Sequence, residues 1–277
     1  MSTTVEPQAK YITQIAGRNY EVDENMGRVS FLDNRFYKAA DGTFVPSVTT
    51  ILSAYPKDAQ FYEWLKKVGQ DADEIRDEAG RRGSIVHSLT ESYDLGSEIT
   101  LMAADGSPKY KLSEWAMFER YVDFRERFKV QIHAVELNMV SKELGYAGTL
   151  DRVLTFERDG ITYLMDIKTS SAVRDEYFMQ QAAYHELLHN TGTIARLFPD
   201  GPVPEIKLAI LWLNANTRTY RDGMIQGPGW QLVTTKESTS DLLDMFECVR
   251  HVWLKQNKNL LPRTTSYKLV HKQQPTL

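Results

Sequence analysis

Apolar and polar positions change period twice along this chain. Residues 10–46 alternate around turn signals at Asn34 and Asp41-Gly42, which predicts a small antiparallel strand region. Pro46-Ser47-Val48-Thr49-Thr50-Ile51-Leu52 then offers Ser47 as the cap of a short helix. Helical spacing follows. A helix over 58–67 places Phe61, Trp64 and Leu65 on one face, and a longer stretch over 71–95 is interrupted by Gly80 and Gly83. Another helix, over 113–129, carries Trp115, Phe118, Tyr121, Val122 and Phe128 near helical spacing. The period then shortens, and residues 130–140, 150–156 and 161–167 read as strands. A helix over 175–189, strands over 206–213 and 230–234, and a helix over 241–255 behind Ser238 and Ser240 complete the pattern.

Helices, a cluster of adjacent strands, then a helix and more strands predict an α/β fold with helices packed on a central mixed sheet. No internal repeat or low-complexity linker divides it, so one domain over 1–277 is expected. Within it, residues 1–45 form an N-terminal β extension, 46–256 a core with a helical insert, and 257–277 a basic tail.

Composition changes this picture little: hydrophobic residues make up 42% and charged residues 25%, the ordinary balance of a globular enzyme. Cys248 is the one cysteine, which excludes an internal disulfide and a four-cysteine zinc or iron–sulfur site, and fits a reducing cytoplasm. The first residues carry Glu6 and no apolar run, so neither a secretory signal nor a transit peptide is expected. No stretch approaches the roughly 18 apolar residues that span a bilayer, so no membrane partner is expected. The net charge of −4 argues against a protein that coats nucleic acid, but its distribution is uneven. After Glu247 the charged residues are all basic: Arg250, Lys255, Lys258, Arg263, Lys268 and Lys272. Such a segment either follows a phosphate backbone or is a solvated tail.

The chemistry concentrates in a predicted hairpin, Gly148-Thr149-Leu150-Asp151 through Asp159-Gly160 to Asp166-Ile167-Lys168. Asp159-Gly160 between two β-prone runs signals a two-residue turn. That turn sets Arg158 opposite Ile161, Asp151 opposite Lys168, and Val153 opposite Asp166. Asp151, Asp166 and Lys168 then share one side, while Leu154, Phe156, Tyr163, Met165 and Ile167 form a core face. The register depends on the turn, since a one-residue bulge would break it. Two carboxylates in one cleft repel unless one is protonated or a cation lies between them. A hard divalent ion with oxygen ligands resolves the repulsion, and Lys168 would hold or deprotonate an attacking water. The plainer alternative is a surface Asp–Lys pair worth about 0–1 kcal/mol.

His87 and Glu91 share a helix face, and a neutral imidazole at His87 can complete a metal shell, with Gly83 admitting another backbone. Gln180 and Tyr184, one turn apart, can orient Lys168 or contact a phosphate, or can be the polar edge of an amphipathic helix. Glu136 on the preceding strand is either a further outer ligand or an exposed strand residue.

Taken in order, Pro46 to Leu52, Trp64, Gly83 to Glu91 with His87, Gly148 to Asp151, Asp166-Ile167-Lys168 and Gln180 to Tyr184 resemble the RecB-like branch of the PD-(D/E)XK nucleases. They are especially similar to phage exonucleases related to the mitochondrial genome maintenance exonuclease. The resemblance covers residues 44–190 and implies a restriction-endonuclease-like core with an N-terminal strand and helix extension. It implies that His87, Asp151, Asp166 and the Ile167 carbonyl bind Mg2+ or Mn2+, and that Lys168 is the catalytic lysine. Gln180 and Tyr184 match a Gln-x-x-x-Tyr element that supports the lysine and the DNA. Ser47 matches a serine that approaches DNA, and Arg81, Arg82 and Glu136 join it as candidate DNA-contacting residues. Several relatives carry a four-cysteine iron–sulfur cluster, which this chain cannot form.

The expected function is therefore metal-dependent hydrolysis of DNA phosphodiester bonds. The resemblance makes it exonucleolytic, acting on single-stranded DNA or DNA ends in a bacterial or phage-infected cytoplasm. A strand-annealing protein or a helicase is the partner it implies. Two rivals remain: a structure-specific endonuclease or nickase, and a catalytically silent nuclease-like DNA-binding or recombination partner.

Overall fold

Two six-stranded sheets organise the chain in a computed structural model. It describes the backbone of residues 10–15, 18–25, 28–31, 34–215, 225–258 and 260–265, and the side chains of 34–215, 225–258 and 260–262. In chain order come β1 (Lys10–Ile15), β2 (Arg18–Asn25), β3 (Arg28–Phe31), β4 (Asn34–Lys38) and β5 (Phe44–Pro46). Helices α1 (Val48–Leu52), α2 (Ala59–Val68), α3 (Ala72–Asp94) and α4 (Leu112–Arg127) follow. Then come β6 (Val130–Ser141), β7 (Tyr146–Phe156), β8 (Thr162–Lys168), α5 (Asp175–Asn190), α6 (Thr193–Leu197) and β9 (Ile206–Trp212). The last are β10 (Ile225–Gly227), β11 (Trp230–Thr234), α7 (Thr239–Gln256) and β12 (Arg263–Thr265).

The first sheet, ordered β12-β1-β2-β3-β4-β5, is the predicted antiparallel region, closed by a strand from the other end of the chain. Residues 263–265 of the expected basic tail are thus strand β12, while Lys268 and Lys272 lie outside the described residues. The central sheet is mixed, ordered β10-β11-β9-β8-β7-β6, with β8 and β9 parallel and the remaining pairs antiparallel. Parallel pairing follows from the connection through α5 and α6, because adjacent parallel strands need a crossover.

Helices flank this sheet on both faces. Against one pack α1, α5 and α7, through Ile51, Leu52, Met179, Leu187, Phe246 and Trp253 onto Leu150, Val153, Leu164 and Ile210. Against the other pack α3 and α4, through Val86, Met117, Tyr121 and Phe124 onto Leu154, Phe156, Tyr163, Met165 and Ile167. Those last five are the core face read from the alternation of the hairpin. Among the described residues no helix is long and apolar enough to cross a membrane.

Two local expectations are corrected. Gly80 and Gly83 do not interrupt α3, which runs unbroken from Ala72 to Asp94. A glycine costs a helix only about 1 kcal/mol, which an anchored helix tolerates. The β7–β8 turn spans four residues, not two: Phe156 N–H donates to the Ile161 carbonyl and Gly160 N–H to the Phe156 carbonyl. A two-residue type I′ turn needs two left-handed residues, and here only Gly160 is left-handed, at φ 68°. Asp159 instead accepts the Ile161 N–H through Oδ1. Val153 therefore pairs with Leu164 and Arg152 with Met165, a slide of two residues from the expected register. An even slide changes partners but preserves faces.

Candidate functional site

The site forms where β6, β7 and β8 meet α3 and α5. Leu150 and Val153, three apart on β7, lie in the same apolar cluster, whereas Leu154 and Phe156 lie in the other. The two-residue alternation therefore slips across Asp151-Arg152. On the adjacent strand Glu136 has φ 44°, the one positive φ among described non-glycine residues. The slip leaves Asp151 between the row carrying Asp166 and the helix carrying His87.

Asp151 is 6% exposed and its two oxygens serve different neighbours. Oδ2 accepts the Ile167 N–H at 2.6 Å, and Oδ1 lies 3.5 Å from His87 Nδ1. The same His87 nitrogen is 3.4 Å from Glu136 Oε1. One ligand atom each from His87, Glu136 and Asp151 lies within 4.8 Å of the others, a spacing that can hold a metal ion. Alongside, Lys168 Nζ is 2.7 Å from Asp166 Oδ2. That oxygen is buried, and the ammonium is its partner.

Gln180 joins the second group: it accepts from Lys168 Nζ at 3.0 Å and donates to Asp166 Oδ1 at 3.3 Å and to the Tyr184 hydroxyl at 2.9 Å. Tyr177, one turn before Gln180 on α5, supports the ammonium with its ring, 4.6 Å from Nζ. Gly148 on β7 makes room for Tyr184, since a Cβ there would fall 2.3 Å from the Tyr184 Cε1.

Charge states follow from burial and neighbours. Burial opposes a charge on His87, but Asp151 and Glu136 outweigh it and raise the imidazole to about 10. Burial likewise opposes ionisation of Asp151, yet His87, Lys168 and the Ile167 N–H hold its carboxyl below the usual range. Asp166 goes the other way, to about 6, because burial and then the Asp151 charge outweigh the relief from Lys168. Lys168 is raised: burial disfavours its charge, but Asp166 and Asp151 prevail. It is an ammonium that holds, rather than a base that abstracts.

The donor set fits a hard divalent ion. It offers one imidazole and two carboxylates within ligand distance of one another, with the Asp166 carboxylate paired to Lys168 alongside. The exposed Cys248 lies outside this group. Of the residues expected from the sequence, His87, Glu136, Asp151, Asp166, Lys168, Gln180 and Tyr184 come together. Ile167 contributes backbone only, its side chain being fully buried in the α3 and α4 layer.

The remaining expected residues do not join them. Ser47 is 2% exposed, and its hydroxyl caps α1 by accepting the Thr50 N–H at 3.0 Å. Arg81 ion-pairs with Glu78 and Glu114, each at 2.9 Å. Arg82 keeps its Nε buried without a partner. Sequence reading missed Tyr177 and Arg152. An arginine beside Asp151 within the Leu150–Leu154 strand segment was the available signal for the second. No family model matches this chain, and no curated protein matches its sequence.

Proposed function

We propose that this chain is a divalent-metal-dependent deoxyribonuclease with a PD-(D/E)XK, restriction-endonuclease-like core of the RecB-like branch. The observation that carries this reading is Gln180, which bonds both Asp166 and Lys168 and so fixes a carboxylate and an ammonium beside Asp151. Surface Asp–Lys pairs have no such buried third partner. His87, Glu136, Asp151 and Asp166 would hold the ion, with the Ile167 carbonyl as the further ligand that the resemblance implies. A bound Mg2+ or Mn2+ supplies a Lewis acid for a phosphoryl oxygen.

The chain's own groups do the rest. Lys168 Nζ, protonated and steered by Gln180 and the Tyr177 ring, donates to the attacking water or to the charge growing on the phosphate. Asp151, anchored on the Ile167 N–H, keeps one oxygen turned toward His87 and Glu136. Burial strengthens each of these interactions by thinning the water around them. DNA as substrate, exonucleolytic action on single strands or ends, and a strand-annealing or helicase partner rest on the motif resemblance.

The test uses end-labelled linear single-stranded DNA and a covalently closed single-stranded circle, with and without Mn2+. Wild type should degrade the linear strand only with metal and spare the circle, which offers no end. Asp166→Ala and Lys168→Ala should each lose on the order of 100-fold or more in rate, as removal of a group that stabilises transition-state charge does. Cutting of the circle makes the protein an endonuclease. Inactivity on both, with DNA still bound, makes it a silent nuclease-like binding module.

A further inference from the structure

Arg152 is fully buried, a state arginines reach only when paired. Its guanidinium spreads over three elements. Nε donates to Asp94 Oδ2 at 2.6 Å and Nη2 to Thr90 Oγ1 at 3.1 Å, both on α3. Nη1 donates to the Asp151 carbonyl oxygen on β7 at 2.7 Å and to Glu136 Oε1 on β6 at 3.3 Å. Thr90 and Asp94 lie one and two turns beyond His87 on the same helix, so they share its face. Asp94 is held in turn from α4 by the Tyr121 hydroxyl and by Arg125.

Removing such a network from water is expensive, and buried ion pairs are poor contributors to stability. Its geometry suggests a different use. His87 and Asp151 meet only if α3 keeps a fixed distance from β7, and Arg152 is the side chain that ties these two elements together beside them. Glu136, at φ 44°, persists in that conformation only if its surroundings hold it, and Arg152 meets its Oε1 as a second cation beside His87.

We propose that Arg152 is a positioning residue for the ion site. It sets the His87 helix against Asp151 and fixes Glu136 Oε1 toward His87, without itself touching the ion. The inference rests on the metal-dependent reading given above, and its test separates the two.

The test compares wild type, Arg152→Met, Arg152→Lys and Arg125→Met. Metal-free melting is measured together with Mn2+ binding, by electron paramagnetic resonance of the free ion. Arg125 shares Asp94 but otherwise leans on Tyr121 and Tyr93, away from Glu136 and Asp151. Arg125→Met should therefore melt lower yet keep a Mn2+ Kd within about twofold of wild type. Arg152→Met should raise that Kd about 10- to 100-fold, the usual effect of losing a partner behind a metal ligand. Arg152→Lys, with its charge but not its fork, should fall between.

Unchanged Mn2+ affinity in the Arg152 variants overturns the proposal, and so does equal weakening in Arg125→Met. If Arg152→Met does not fold, Arg152→Lys decides by the same readout. A wild type that binds no Mn2+ removes the metal reading instead. The positioning claim is then settled by a metal-free crystal structure of Arg152→Lys: it fails if Glu136 and Asp151 both keep their contacts with His87.

Discussion

Gly148 and Asp166 show what the site demands of single residues. A methyl group at Gly148 would overlap the buried Tyr184 ring, whose hydroxyl accepts from Gln180. Gly148→Ala should therefore cost about 1–3 kcal/mol in overpacking. It should also slow DNA hydrolysis at least tenfold by displacing Gln180 from Lys168, read by melting and single-turnover rates. Asp166 illustrates the opposite sign. Its carboxyl is raised to about 6, so the metal-free fold resists its charge at neutral pH. For a raised acid the folded state binds the proton first, so this contribution destabilises above pH 6 and fades as pH falls toward 4. Asp166→Asn should remove this rise in metal-free stability between pH 6 and pH 4, and should abolish activity. Denaturant titrations in which the variant gains as much stability as wild type between pH 6 and pH 4 would sink this account. Asp166 and Lys168 were legible as a pair because alternation is a local property of a short strand, whereas Asp151 joins them across a slip in that alternation that the sequence does not announce. Arg152 was not, because its partners Thr90, Asp94 and Glu136 lie on other elements that no local pattern aligns with it.

At the scale of elements, caps and turns decide which local readings hold. Ser47, Asp58 and Ser238 cap α1, α2 and α7 as their sequence contexts imply, each accepting a first-turn N–H. Ser47 matters further because the motif resemblance gives it a contact with DNA, whereas its hydroxyl here is spent within α1 and on Thr49 and Thr50. Ser47→Ala should therefore cost about 1 kcal/mol of stability as a lost cap and leave DNA affinity unchanged by fluorescence anisotropy. Weakened DNA binding at unchanged melting temperature would reverse that assignment. The β7–β8 turn was misread for a reason internal to it: Asp-Gly fits both a two-residue turn and a four-residue turn whose last residue is a left-handed glycine. The strand faces survived because the two solutions differ by an even number of residues.

Across the whole molecule, the order of elements was legible, but the closing of the first sheet was not. Strand β12 returns from the far end of the chain to pair with β1, a long-range contact that no periodicity within residues 263–265 announces. The layers on either side of the central sheet set the last prediction. Helix α5 is packed against the sheet and against α1 and α7, and most of its length is buried. Its His185 is partly buried beside that packing. Burial, with a smaller push from His189, whose ring centroid is 4.7 Å away, lowers the His185 imidazole to about 4. The unfolded chain has its histidine near 6.5. Above pH 6.5 neither state takes up the proton, and His185 leaves stability unaffected by pH. Between 6.5 and 4 only the unfolded chain does, so stability falls with pH across that window and levels off below it. The full difference amounts to about 3 kcal/mol. Asp166 acts in the opposite direction over part of the same range, so wild type shows the sum. Urea midpoints at pH 7 and pH 4.5 for His185→Gln and His185→Gln/Asp166→Asn separate the two. The first substitution should flatten the acid-side loss, and the second should then remove the compensating gain. An acid-side loss as steep in His185→Gln as in wild type would place the sensitivity elsewhere than at His185.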